Sequence, residues 1–340
     1  MRVCVIGAGA IGGTMAVKLA LAGEDVSVID RGAHLGTIRT NGLELRSSDG
    51  AVLNAKVRAF DHAGDAGRQD LVVLAVKSYN LEEASRHIGP LLDPGTTVMT
   101  VQNGIPWWYF QRHGGEFDGK TLKTLDPNGT LARAVDAERI IGSVAYPAAS
   151  IAAPGVIKHI EGERLPIGEL DGRETDRAGR ISEMLNRAGL KSRVISDIRP
   201  EIWLKAMGSL TFNPISALSH ATMEEICQCA ETRQLVADMM KEAEIVAGKL
   251  GIAFRHSIEK RLDGAEKVGA HKTSMLQDVE AGRPLETEAL VGSILELGRL
   301  TGTRTPAVAT VYSLVRLLEN VMRASDGTLK VEKSAAIRAA

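Results

Sequence analysis

No stretch constrains this chain more than Val3-Cys4-Val5-Ile6 and the three glycines that follow it, Gly7, Gly9 and Gly12. The four apolar residues read as a buried strand. Ile11, Met15, Leu19 and Ala22 then recur at helical spacing, and Gly23 ends the helix. Val26-Ser27-Val28-Ile29 is a second strand closing on Asp30. Strand, glycine turn, helix, strand and acid in this order form the βαβ unit that binds dinucleotides. Gly7 permits the tight turn, Gly9 lets backbone approach a pyrophosphate, and Gly12 lets the helix pack close to the sheet. The cradle therefore spans Gly7, Ala8, Gly9, Ala10, Ile11 and Gly12. Free N–H groups and a partial positive charge at the helix start face the phosphates.

At 340 residues the chain is long for one core and comfortable for two domains. Its 41 Lys and Arg nearly cancel 42 Asp and Glu, so a nucleic-acid footprint or an anionic-membrane partner is not expected. No apolar run approaches the length of a bilayer span. A strand beginning at residue two leaves no room for a signal peptide, so a cytoplasmic location is expected. Cys4 falls in a buried strand, and Cys227 and Cys229 form an isolated pair, which suggests reduced, buried thiols and no metal site.

After Asp30, Arg31-Gly32-Ala33-His34 reads as the start of a loop. Leu43 to Leu45 and Val52-Leu53 flank Asp49-Gly50 as a hairpin. Leu71 to Val76 is a central parallel strand with Lys77 at its C-terminal end. Leu81 to Leu92 has helical spacing, and Thr96 to Val101 is a strand running into Gln102-Asn103-Gly104. The aromatics Trp107 to Phe110 open an irregular insertion reaching Glu138, and they read as packing against the sheet edge. Ile140 to Tyr146, Val156 to Ile160 and Leu165 to Ile167 suggest an antiparallel extension of the sheet. A helix over 175–188 and a last strand over 190–195 complete this half. From Asp197 only helices are expected, over 232–250, 257–268, 285–301 and 307–322, with a tail from Arg323 that frays. The expected fold class is α/β: a dinucleotide-binding domain over 1–196, then an all-helical domain over 197–340.

Ligands of open parallel sheets bind beyond the C-terminal strand ends, where Lys77 and Asn103 stand. The helical domain is expected to close over that edge and supply a proton donor. Lys205, Ser209 and Asn213 are spaced by four, on one helix face, with Trp203 and Phe212 as apolar surface. Spacing alone leaves the lysine open to a plain solvated role. The chain also carries VIGAGAIGG at Val5 to Gly13, VQNGI at Val101 to Ile105, and W-L-K at Trp203 to Lys205. Asn213-Pro214, SMLQD at Ser274 to Asp278, and GRPLETE at Gly282 to Glu288 follow in order. In these pieces the chain resembles the ketopantoate reductase family, whose first domain has the Rossmann fold. The resemblance implies that Lys205 is the proton donor and that Asn103 contacts cofactor and substrate. It implies that Asn213 and Ser274 hold the substrate, that Glu286 touches the cofactor or orients Lys205, and that Lys77 and Arg31 lie near the cofactor. Ser209 would take a substrate-binding place on the same face. A free lysine titrates near ~10.4, so Lys205 is expected to be an acid without much tuning.

Two positions depart from the family pattern: Ser209 and Met223 stand where asparagines are usual. This leaves two substrates open, ketopantoate and a more apolar 2-keto acid. The cofactor is open as well, because Asp30 favours NAD(H) while Arg31 favours NADP(H). A 3-hydroxyacid or polyol-phosphate dehydrogenase and a non-catalytic nucleotide sensor are the competing readings. Apolar C-terminal helices that need cover are compatible with a homodimer.

Overall fold

The computed structural model describes residues 1–325. The chain divides into two compact units, Met1–Ile202 and the part from Trp203 onward. In the first unit the elements run β1 (Arg2–Ile6), α1 (Ala10–Leu21), β2 (Asp25–Ile29), α2 (Gly32–Asn41), β3 (Leu43–Arg46), β4 (Val52–Ala55) and β5 (Arg58–Phe60). They continue through α3 (Ala63–Ala66), β6 (Leu71–Leu74), α4 (Leu81–Arg86), β7 (Thr97–Thr100), α5 (Thr130–Ala134) and β8 (Ile140–Ser143). The last are β9 (Ala148–Ala153), β10 (Val156–Glu161), β11 (Ile167–Glu169) and α6 (Asp176–Arg187).

The main sheet has the order β11-β8-β7-β6-β1-β2-β5. Every pair in it is parallel except β11 with β8. Val5 pairs with Val28 on one side and Val73 on the other, and all three are fully buried. Sandwiched apolar strands of this kind need helices on both faces. From β1 the chain goes to β2 on one side and later returns to β6 on the other, so the strand order reverses at β1. Ligands of such sheets sit at this reversal, beyond the C-terminal strand ends. A second sheet, β4-β3-β10-β9, packs on α1. The contact is close: a Cβ on Gly13 would lie 2.0 Å from Ile157 Cδ1.

Several expectations change here. The stretch after Asp30 is helix α2, held by Leu35 and Ile38, one turn apart and both buried. Its low apolar content hid the period. Val156–Glu161 does not extend the main sheet; it pairs parallel to β3 and antiparallel to β9, closing the hairpin into the second sheet. The expected strand over 190–195 makes only the isolated bridges Arg164↔Lys191 and Ile167↔Val194. The helix expected to Leu92 stops at Arg86, and a 3₁₀ turn follows over Gly89–Leu91. Pro90 has no N–H for a helix interior. The aromatics behave as expected: Trp107, Trp108, Tyr109 and Phe110 are all buried.

In the second unit α7 (Arg199–Ser219), whose first turn belongs to the first unit, is followed by α8 (Met223–Gln228), α9 (Ala230–Lys249) and α10 (Ile258–Glu266). Then come α11 (Ser274–Glu280), a π turn over Glu288–Gly292, α12 (Ser293–Leu300) and α13 (Pro306–Ser325). Short α8 and α11 escape a periodicity reading, and their caps went unread. Thr222 and Glu225 form a capping box, and Thr273 accepts the Leu276 N–H. Arg233 ties α9 to α10 through Glu259, Asp263 and Glu266 at 2.5, 2.8 and 3.2 Å. On α13, Leu314, Leu317 and Val321 form an exposed apolar stripe. Cys4 and Cys227 are buried, whereas Cys229 is exposed, against expectation, because it caps α9 at a surface corner. Of the tail expected to fray, Arg323 to Ser325 are helical, and the rest lies outside the described residues. Among the described residues, no helix is long and apolar enough to cross a membrane, and no group of three or more His, Cys, Asp or Glu side chains could hold a metal.

Candidate active site

The glycine turn is shaped by what a side chain would strike. Gly7 has φ +92°, and a Cβ there would lie 2.8 Å from Val76 Cγ1. A Cβ on Gly12 would stand 2.0 Å from the Gly7 carbonyl oxygen and 2.8 Å from Ala75 Cβ. A Cβ on Gly9, by contrast, meets nothing within 4 Å. The turn is therefore crowded toward the sheet and open at Gly9, at the N-terminus of α1. There the first N–H groups, those of Ala10, Ile11 and Gly12, have no acceptor within the helix. Open space beside unpaired donors suits a pyrophosphate, so these residues fit a nicotinamide dinucleotide.

Side chains from β2 and α2 hold this turn. Asp30 Oδ2 accepts the Ala8 N–H at 2.7 Å, and Oδ1 accepts the Arg31 N–H at 2.7 Å. His34 holds the same residue from the next peptide group. Its Nδ1 accepts the Gly155 N–H at 3.0 Å, which leaves Nε2 to donate to the Ala8 carbonyl at 2.8 Å. Sequence reasoning missed His34, because residues 31–34 read as loop. Arg31 turns outward: its side chain is 70% exposed and reaches Glu83 at 3.4 Å.

Lys77 and Asn103, both half-buried, follow the C-terminal ends of β6, which pairs with β1, and of β7, the next strand out. Gln102 braces that edge, donating from Nε2 to the carbonyls of Leu74 and Val76 at 2.7 and 3.1 Å. The insertion after Asn103 is pinned from beneath. Trp108 Nε1 donates to Thr100 Oγ1 at 2.9 Å. Buried Arg199 donates to the carbonyls of Tyr109, Leu170 and Gln111 at 2.9, 2.7 and 3.0 Å. Burial lowers its affinity for a proton from the usual guanidinium range. Glu201, one turn before Lys205, pairs with Arg164 and accepts the Tyr146 hydroxyl at 2.7 Å. Burial, and then the Glu201 carboxylate, push the Tyr146 phenol upward. The sequence signalled neither Arg199 nor Glu201 as an anchor, since their partners lie from 29 to 90 residues away.

In the second unit α7 presents Lys205, Ser209 and Asn213 on one face. Lys205 and Ser209 are half-buried, and Asn213 is buried. Asn213 Nδ2 donates to Ser274 Oγ at 3.2 Å, joining α7 to the first residue of α11. Glu286 is buried just before the π turn, and Leu290 N–H closes on its carbonyl. Burial pushes the Lys205 ammonium down to about 8, against the pull of the Glu286 carboxylate. The lysine is thus tuned, where an ordinary value was expected. At neutral pH it remains mostly charged, yet it gives up a proton far more readily than a surface lysine. The loop carrying Glu286 is fixed by Arg283, whose Nε donates to buried Asp278 Oδ1 at 2.8 Å. Met223 opens α8, its N–H on the His271 carbonyl at 3.0 Å.

Residues 3–172 match the family model described as Ketopantoate reductase PanE/ApbA, and residues 197–319 match the model of its C-terminal part. A 2-dehydropantoate 2-reductase of Mesorhizobium japonicum is 47% identical over 94% of this chain and 98% of its own. The crystal structure of 2-dehydropantoate 2-reductase from Geobacter metallireducens superposes with a TM-score of 0.82 at 28% identity, covering 94% of this chain and 100% of that one. D-mandelate dehydrogenase, solved with NADH and anilino(oxo)acetate, gives a TM-score of 0.82 over 95% of this chain and 100% of that one. At 22% identity, that likeness is one of fold.

Proposed function

The chain belongs to the ketopantoate reductase family, and on that premise we propose that it reduces ketopantoate (2-dehydropantoate) to pantoate with NADPH or NADH, Lys205 giving the proton. At the coarser level it is a nicotinamide-dependent oxidoreductase of 2-keto acids. In this reading Gly7 to Gly12 hold the pyrophosphate, Asp30 and Arg31 meet the adenosine ribose, and Lys77 and Asn103 border the cofactor. When bound, the dinucleotide supplies the hydride that the carbonyl carbon receives. Lys205 stabilises the growing negative charge on the carbonyl oxygen and transfers its Nζ proton to it, leaving a neutral amine that solvent reprotonates. Glu286 keeps that amine charged between turnovers. Asn213, Ser274, Ser209 and Asn103 offer the amide and hydroxyl groups that a hydroxylated keto acid requires.

The observation that carries the reading is the Lys205–Glu286 couple: the ammonium of a half-buried lysine, drawn down to about 8 by desolvation and opposed by a buried carboxylate. Such tuning matches an acid working near neutrality. Ser209 and Met223 support a second substrate, a more apolar 2-keto acid, because each shortens or removes a polar contact. A cytoplasmic homodimer is part of the same proposal, with the α13 stripe as the face to be covered.

The test is oxidation of NADH and NADPH by the full chain against a panel of 2-keto acids. Ketopantoate is expected to turn over fastest. Preference for a branched apolar acid would move the substrate and keep the reaction. Turnover only of 3-hydroxy acids or polyol phosphates, or dinucleotide binding with no reduction at all, would overturn the proposal.

A further inference from the structure

The corner after β2 holds two opposed signals, and the contacts decide between them. Asp30 is fixed: its two oxygens accept the N–H groups of Ala8 and Arg31, both at 2.7 Å. Each oxygen keeps a further lone pair, so the carboxylate can accept ribose hydroxyls without leaving the turn. Among the described residues no cation pairs with Asp30, so its negative charge is uncompensated there. The neighbouring guanidinium points elsewhere, with Arg31 Nη1 lying 3.4 Å from Glu83 Oε2. A 2′-phosphate arriving at this corner would face a fixed anion in Asp30. It would also have to take Arg31 from Glu83, or accept Glu83 as a second negative neighbour. A 2′-hydroxyl meets only an acceptor. We infer that this chain selects NADH over NADPH, with Asp30 as the discriminating residue and Glu83 as the residue that withholds Arg31.

This rests on the reading of the glycine turn as a dinucleotide site and narrows it to one cofactor. The selection is a matter of binding, so it is read without turnover. Each reduced dinucleotide is titrated into the full-length protein and followed by the change in nicotinamide fluorescence, for wild type, Asp30→Asn and Glu83→Gln. Wild type is expected to bind NADH at least about tenfold more tightly than NADPH, a difference of roughly 1.4 kcal/mol. Asp30→Asn keeps an acceptor for the turn and removes the charge, so NADPH affinity is expected to rise while NADH affinity falls. Glu83→Gln, an exposed change, is expected to strengthen NADPH alone. Tighter NADPH binding by wild type would overturn the inference. So would an equal loss of both ligands in Asp30→Asn, which would make Asp30 a brace of the turn and nothing more. If neither dinucleotide binds wild type, the functional reading falls with it; if both bind equally, only this inference does.

Discussion

The proposed nucleotide turn of the first unit is built from backbone, and the proposed proton-donating couple of the second is built from side chains. Gly7, Gly9 and Gly12 act by what they lack, leaving space and bare N–H groups at the start of α1. Lys205 and Glu286 act by what they carry, and 80 positions of sequence lie between them. The first arrangement is local, so its spacing is rigid and its failure is steric. The second is assembled by tertiary packing, so its failure is electrostatic and leaves the chain folded. The two halves should therefore respond to substitution in different measurements.

The sharpest contrast comes from Lys205→Ala. It is expected to lower kcat by about 10²- to 10⁴-fold while dinucleotide titrations stay unchanged. A parallel loss of nucleotide affinity would break the division of labour. Gly12→Ala should instead act on structure. Its Cβ would sit 2.0 Å from the Gly7 oxygen, and the overpacking is expected to cost about 1–3 kcal/mol in thermal unfolding and to abolish nucleotide binding. Gly9→Ala, with open space around its Cβ, should keep the melting temperature and weaken the nucleotide only. Equal melting losses in the two variants would contradict a turn crowded on one side alone.

The pH profile sharpens the second half. With the Lys205 ammonium at about 8, keto-acid reduction should be flat below that pH and fall above it, as the acid form disappears. Removing the Glu286 charge in Glu286→Gln removes the pull that raises this value, so the falling limb should move below pH 8. A profile that falls only near an ordinary lysine value would place Lys205 outside the proton transfer. The smallest effect is expected of Ser274→Ala, which deletes the acceptor of a 3.2 Å hydrogen bond from Asn213. One neutral hydrogen bond suggests a KM raised roughly 2- to 10-fold with kcat nearly intact.

The same contrast explains what could be read in advance. Val3 to Asp30 announces its fold because strand, turn, helix and second strand are consecutive and Asp30 grips Ala8 from 22 positions away, although the wall that crowds Gly7 and Gly12 comes from Ala75 and Val76. The hairpin around Asp49-Gly50 was legible for the same reason, since β3 and β4 pair directly across it. Its continuation was not: β10 joins β3 from more than a hundred positions away, and nothing in 156–161 names its partner. Helix α2 was lost because two buried residues, Leu35 and Ile38, make too short a stripe. In the second unit, the helical face of Lys205, Ser209 and Asn213 was visible. That Glu286 lies close enough to act on Lys205, and Ser274 close enough to bond Asn213, was implied only by resemblance to relatives. Arg199, His34 and Glu201 were silent because their partners are backbone carbonyls or distant side chains.

The backbone of Ala8 is gripped on both sides of its Cα, its N–H by Asp30 and its carbonyl by His34. A loop rich in glycine would otherwise wander among many shapes, and only the fraction poised to accept a guest would contribute to capture. Here the wandering is curtailed before any guest arrives. The freedom surrendered on association is then chiefly the visitor's own tumbling, and a short, flexible sequence serves as a rigid receptor.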